Sequence, residues 1–260
     1  MSKVHILLLV TLLGFGWDTQ PAASPAALWE GLQRLPAGEI WPGFRVSEYP
    51  LAVFDGRNTC LFAHPRPPAG FTAMTGHPQT WRYAGRHPAV MANTTVELGD
   101  VPTATVILTR GPGPSDREWA AVALHEMFHA FAWKRFPNWG VNEMAAIGYP
   151  KFRSNNLAGV ALERMALAEA LRARDRAMTI SWVKTFLGLR RSRFAVLPPE
   201  QGDFESRNEL NEGMARYAEL KALGREGDPE FLTPTPPAEG VRRWGYDSGC
   251  AQGALLDQLL

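Results

Sequence analysis

Hydrophobic and polar positions divide the chain into stretches with different periods. Residues 6–15 form an almost unbroken apolar run, preceded by Lys3 and followed by the small residues Ala22, Ala23 and Ser24. A positive start, an apolar run too short to span a bilayer and a small-residue cleavage region predict an export signal over residues 1–24. Beyond it, residues 25–70 are turn-rich and their apolar residues cluster in short groups. Strands are predicted at 44–47, 51–54 and 59–62, then at the β-branched stretches 94–98 and 103–109, read as the last strands of a sheet. After Gly111-Pro112-Gly113-Pro114 the period becomes that of helices, predicted at 115–135, 142–149, 157–177, 180–186, 208–223 and 249–260. Breakers at Pro137, Pro150, Pro198-Pro199 and Pro234 to Pro237 separate them. Strands first and helices later predict an α+β fold, organised as one domain over 25–260. The last six residues keep the helical pattern with no terminating signal, which reads as a chain cut short.

Composition narrows the function classes. The 260 residues are 45% hydrophobic and 10% aromatic, enough for a substantial core. Lys and Arg total 27 against 26 acids, a formal net charge of +1, so neither nucleic acid nor a polybasic membrane contact is indicated, and no stable membrane span is expected. Oligomeric state is not encoded in any visible pattern. Cys60 and Cys250 are too few for a zinc finger, but in an exported chain they are candidates for one disulfide.

The chemistry is concentrated in the predicted helix 115–135, which opens with a capping box, Ser115-x-x-Glu118. Within it stands His125-Glu126-x-x-His129. Positions i and i+4 share a helix face, so both imidazoles can reach one zinc ion, while Glu126, about 100° round the helix, faces a water beside it as general base. Two satisfied core histidines are the bland alternative. A third protein ligand is required. No histidine follows His129, which leaves a downstream carboxylate: Glu143, in Asn142-Glu143, or Glu212, in Asn211-Glu212-Gly213.

The segment Asn211-Glu212-Gly213-x-Ala215-x-Tyr217-x-Glu219 resembles the second-helix motif of the gluzincin metallopeptidases, as in aminopeptidase N-type enzymes. The stretch from Tyr246 to Asp257 is similar to the Tyr-x-Lys-Gly helix start of those enzymes and of the glycyl aminopeptidase family, with Ser248 in place of the lysine. The resemblance implies a thermolysin-like zincin catalytic domain, Glu212 as third zinc ligand and the Tyr246 hydroxyl as stabiliser of the oxyanion. The gap between His129 and Glu212 is far longer than in gluzincins, so residues 157–199 read as an inserted helical subdomain. The segment that captures a free amine in aminopeptidase N-type enzymes is absent.

The sequence therefore predicts a secreted or periplasmic zinc metallopeptidase acting on a peptide or protein substrate, with His125, His129 and Glu212 on Zn2+ and Glu126 and Tyr246 catalytic. A non-catalytic secreted binding protein on the same scaffold, or a zinc hydrolase of a non-peptide amide, competes with it. Strand 103–109 is expected to be the sheet edge that guides an extended substrate. Arginines 164, 172, 174, 176, 190, 191 and 193 read by default as a solvated helix face with acidic partners, and more sharply as including one that orients a ligand. His64, His77 and His87 read as loop histidines, and Trp133, Phe136 and Trp139 as packing beneath the site.

Overall fold

The computed structural model describes residues 24–36, 40–108, 114–236 and 240–260. Apart from Ser24, the predicted export signal lies outside them, as does Thr109. Ser24 caps the first element: its hydroxyl accepts the Ala27 N–H at 3.1 Å and Pro25 takes the first helical position, so α1 runs Pro25–Gln33. The scattered aromatics of this region suggest strands, but the cap and the i,i+4 pair Leu28 and Leu32, both fully buried, make a helix. Stretch 44–47 is likewise not a strand; a 3₁₀ turn at Val46–Glu48 buries Val46.

Six strands follow: β1 (Leu51–Phe54), β2 (Asn58–Phe62), β3 (Thr72–Ala73), β4 (Thr80–Ala84), β5 (Thr94–Leu98) and β6 (Val101–Ile107), in the order β3-β4-β2-β1-β6-β5. Only the β1–β6 pairing is parallel. All four β1 residues are apolar, and both faces of this strand are covered: Leu51 and Val53 on the helical side, Ala52 on the other. That places β6, beside β1, inside the sheet. The β5–β6 turn, Gly99 (φ 55°) and Asp100 (φ 60°), is left-handed at both positions and folds β5 to the outside. The edge is therefore β5, not the predicted 103–109. Strands β3 and β4 carry no strong apolar run and escape the sequence pattern.

Helix α2 (Asp116–Arg135) lies against this sheet, its capping box formed as expected, with the Glu118 carboxylate accepting the Ser115 N–H at 2.8 Å. Nearly every residue from Trp119 to Ala132 is buried, so α2 is a central core helix rather than an amphipathic surface one. One core joins it to α1, to β1 and β6 and to α6 (Met214–Leu223). Residues 142–149 contribute only a 3₁₀ turn, Glu143–Ala146. Helices α3 (Ser154–Arg172) and α4 (Arg176–Phe194) form a hairpin, α4 being much longer than predicted. Then α5 (Pro199–Asn208), a π-turn at Glu209–Gly213 and α6 make one continuous rod. Pro198-Pro199 separates α4 from α5 as expected, and Pro199 also opens the rod, because proline is tolerated at the first helical position.

Helix α7 (Val241–Leu259) starts eight residues before the predicted 249 and packs on the rod through Gly245, Gly249 and Gly253. A Cβ on Gly249 would stand 2.4 Å from the Glu209 carbonyl oxygen and 2.7 Å from Gly213 Cα, so the two backbones touch. Both cysteines are free: Cys60 packs at the sheet core and Cys250 inside the core of the hairpin, α6 and α7, so the candidate disulfide is not formed. No described helix is long and apolar enough to cross a membrane.

Candidate metal centre

Helix α2 presents His125 and His129 one turn apart, and the rod presents Glu212 from its π-turn. Two imidazole nitrogens and one carboxylate oxygen converge. His125 Nε2 and His129 Nε2 are 3.2 Å apart, and Glu212 Oε2 lies 3.7 Å and 3.4 Å from them. Ligand atoms about 2.0–2.1 Å from a tetrahedral ion stand about 3.3 Å apart, so these three spacings fit one small divalent cation. Among the described residues this is the one cluster of histidine, cysteine and acidic side chains able to hold a metal ion.

The surrounding bonds orient the ligands. His125 Nδ1 lies 3.1 Å from Glu219 Oε2. A carboxylate there accepts the N–H of Nδ1, the arrangement in which a neutral ring turns its Nε2 lone pair to the centre. Arg216 holds Glu219 in turn. The second oxygen of Glu212 faces Asn211 Nδ2 at 3.4 Å and Arg242 Nη1 at 3.8 Å, which leaves Oε2 for the centre. Glu143, the competing carboxylate, is half-exposed and ion-paired with Arg242. It is not brought to the imidazoles.

Electrostatics favour positive charge at this point. Burial opposes protonation of His125, but the neighbouring Glu212 and Glu219 carboxylates and the charge of Glu126 push it up to about 10. Burial works to raise the Glu212 carboxyl, yet the two imidazoles beside it hold it far below the usual carboxylate range. Three buried carboxylates around two imidazoles make a cation the natural occupant.

Glu126 is buried beside the cluster without being one of the three converging groups. Desolvation raises its carboxyl above the ordinary value, with His125 and His129 opposing that shift. Tyr246, on α7, stacks its ring on His125 with centroids 5.7 Å apart and planes 10° from parallel. Burial, with the charge of the nearby Glu212 carboxylate, keeps its phenol protonated well above its ordinary value. Both side chains line a cleft of about 190 Å3 together with Thr94 and Thr95 of the edge strand, His129 and Arg242. The Thr95 hydroxyl donates to the Glu126 carbonyl, tying β5 to α2.

Several cleft residues escape sequence reasoning. Trp133 is half-exposed and lines the cleft rather than packing beneath the site, unlike Phe136 and Trp139, which stack with centroids 4.2 Å apart. Glu219 stands in the quoted motif, but only its contact with His125 reveals a role. Arg242 gives no signal in the sequence. His64 is a buried structural residue whose Nε2 bonds the Leu98 carbonyl at 2.8 Å. Comparison with family models, with curated proteins and with solved structures finds no match for this chain.

Proposed function

We propose that this protein is an exported, zinc-dependent metallopeptidase of the gluzincin type. The observation that carries the reading is the convergence of His125 Nε2, His129 Nε2 and Glu212 Oε2 within 3.7 Å of one another, beside the cleft that His129, Glu212, Glu126 and Tyr246 line. His125, His129 and Glu212 would hold the ion. When bound, zinc supplies Lewis acidity, polarising a carbonyl and acidifying a water.

The chain's own groups account for the rest. Glu126, its carboxyl raised above the ordinary value by burial, takes the proton of the attacking water and returns it to the leaving amine. Tyr246, held protonated, donates to the oxygen that gains charge at the scissile carbonyl. Among the described residues β5 pairs with β6 alone, which leaves its outer edge to bond an extended peptide beside the cleft.

The test is metal analysis and peptide hydrolysis on three proteins. Wild type is expected to carry one zinc and to cleave peptides. His125→Ala should lose both zinc and activity. Glu126→Gln should keep zinc and lose about 10²–10⁴-fold in turnover. A wild-type protein that binds zinc and cleaves no peptide would favour the non-catalytic scaffold reading.

A further inference from the structure

Arg176 and Arg191 of α4 are exposed, as the solvated-face reading expects, but Arg190 and Arg193 turn inward. Arg193 is buried and Arg190 nearly so, and both reach the rod that carries Glu212. Arg193 makes paired bonds of 2.7 Å to both oxygens of Glu205, with Nε at 2.6 Å from Glu163 of α3. Arg190 grips both oxygens of Glu209, its Nη2 at 2.7 Å from Oε1, and its Nε bonds Glu163 at 3.0 Å. The Ser248 hydroxyl of α7 donates to Glu209 as well.

Glu205 and Glu209 are i,i+4 on the rod, so the hairpin holds it at two points one turn apart. Two such grips fix both its rotation and its translation. The second grip falls at the first residue of the π-turn, three residues before Glu212. A buried ionic network of this kind contributes little net stability, and its best-attested use is to specify register. A π-turn is an inserted residue in an otherwise α-helical ladder, and removing it would swing the following side chains about the axis.

Resting on the metal reading of the site, we infer that Arg190 is a positioning residue for Glu212. By clamping Glu209 against Glu163 and Ser248, it holds the π register in which Glu212 meets the two imidazoles. It acts through the rod and lies outside the cleft lining. The helical hairpin is thereby part of the metal site's supporting structure, not an accessory.

The experiment measures zinc dissociation by chelator competition, and the visible spectrum of the cobalt-substituted protein, on the full chain well below each variant's unfolding temperature. Arg190→Met should raise the zinc dissociation constant about 10–100-fold and shift the cobalt spectrum toward that of Glu212→Gln. Arg190→Lys, with no planar fork, should fall between that variant and wild type. Ser248→Ala removes one donor to Glu209 without stranding a charge and should weaken zinc several-fold. Arg172→Gln, on the exposed side of the hairpin, should change neither readout. A folded Arg190→Met with wild-type zinc affinity and cobalt spectrum overturns the inference. If that variant does not fold, unchanged values in both Arg190→Lys and Ser248→Ala overturn it. Wild type that binds neither zinc nor cobalt overturns the metal reading itself, and this inference with it.

Discussion

At the scale of single residues, the ligand cluster depends on what stands behind it. Glu219 fixes the His125 ring through Nδ1, and Arg216 fixes Glu219, so the imidazole enters the centre already oriented. Replacing Glu219 with glutamine keeps an acceptor but removes the charge that favours the metal-binding tautomer. The expected result is a zinc affinity weakened about 10–100-fold with the fold retained, read by chelator competition. Glu126 illustrates how far local pattern reaches. Its place one residue after His125 is local, but burial is what raises its carboxyl, and Thr95 and Tyr246, which line the cleft with it, lie far from it in sequence.

At the scale of elements, the π-turn and the glycine face of α7 form a matched pair. A Cβ on Gly213 would lie 2.5 Å from Gly249 Cα and 2.7 Å from the Gly245 carbonyl oxygen, both backbone atoms that cannot swing aside. Gly213→Ala should therefore destabilise the protein by about 1–3 kcal/mol in denaturant unfolding and displace Glu212, lowering metal affinity. The Gly in Asn-Glu-Gly thus reads as a packing requirement of this contact. The same rod carries one acid-sensitive contact. Burial would raise the Glu209 carboxyl, but Arg190 and Ser248 hold it below its ordinary 4.5. A depressed folded value means that its contribution is complete above about pH 4.5 and is lost as the pH falls through the lower folded value. Thermal unfolding followed against pH should show that loss in wild type and a shallower one in Glu209→Gln. The arginine stretch was the least legible element. Its charges and i,i+4 acids resemble a solvated face, and only the tertiary placement of α4 against the rod turns Arg190 and Arg193 inward.

At the scale of the whole molecule, the sheet and the helices meet at one seam, with β5 and α2 on one wall of the cleft and the rod and α7 on the other. Cys60 belongs to the first half and Cys250 to the second. Burial raises both thiols. Reductant should leave the melting temperature unchanged, and Cys250 should react with a thiol reagent only on unfolding; a drop in melting temperature on reduction would restore the disulfide. Local pattern alone places His125 and His129 on one face with Glu126 beside them, starts their helix at Ser115 and puts the sheet before the main run of helices, though it misses α1. These are local facts, set by a repeat of 3.6 or 2 residues. Only the tertiary structure decided which carboxylate lies beside the imidazoles, which strand is the edge, where the arginines point and whether the cysteines meet. Each of those is a distance between segments far apart in the chain, and a periodic pattern records which face of an element is buried but not what it is buried against.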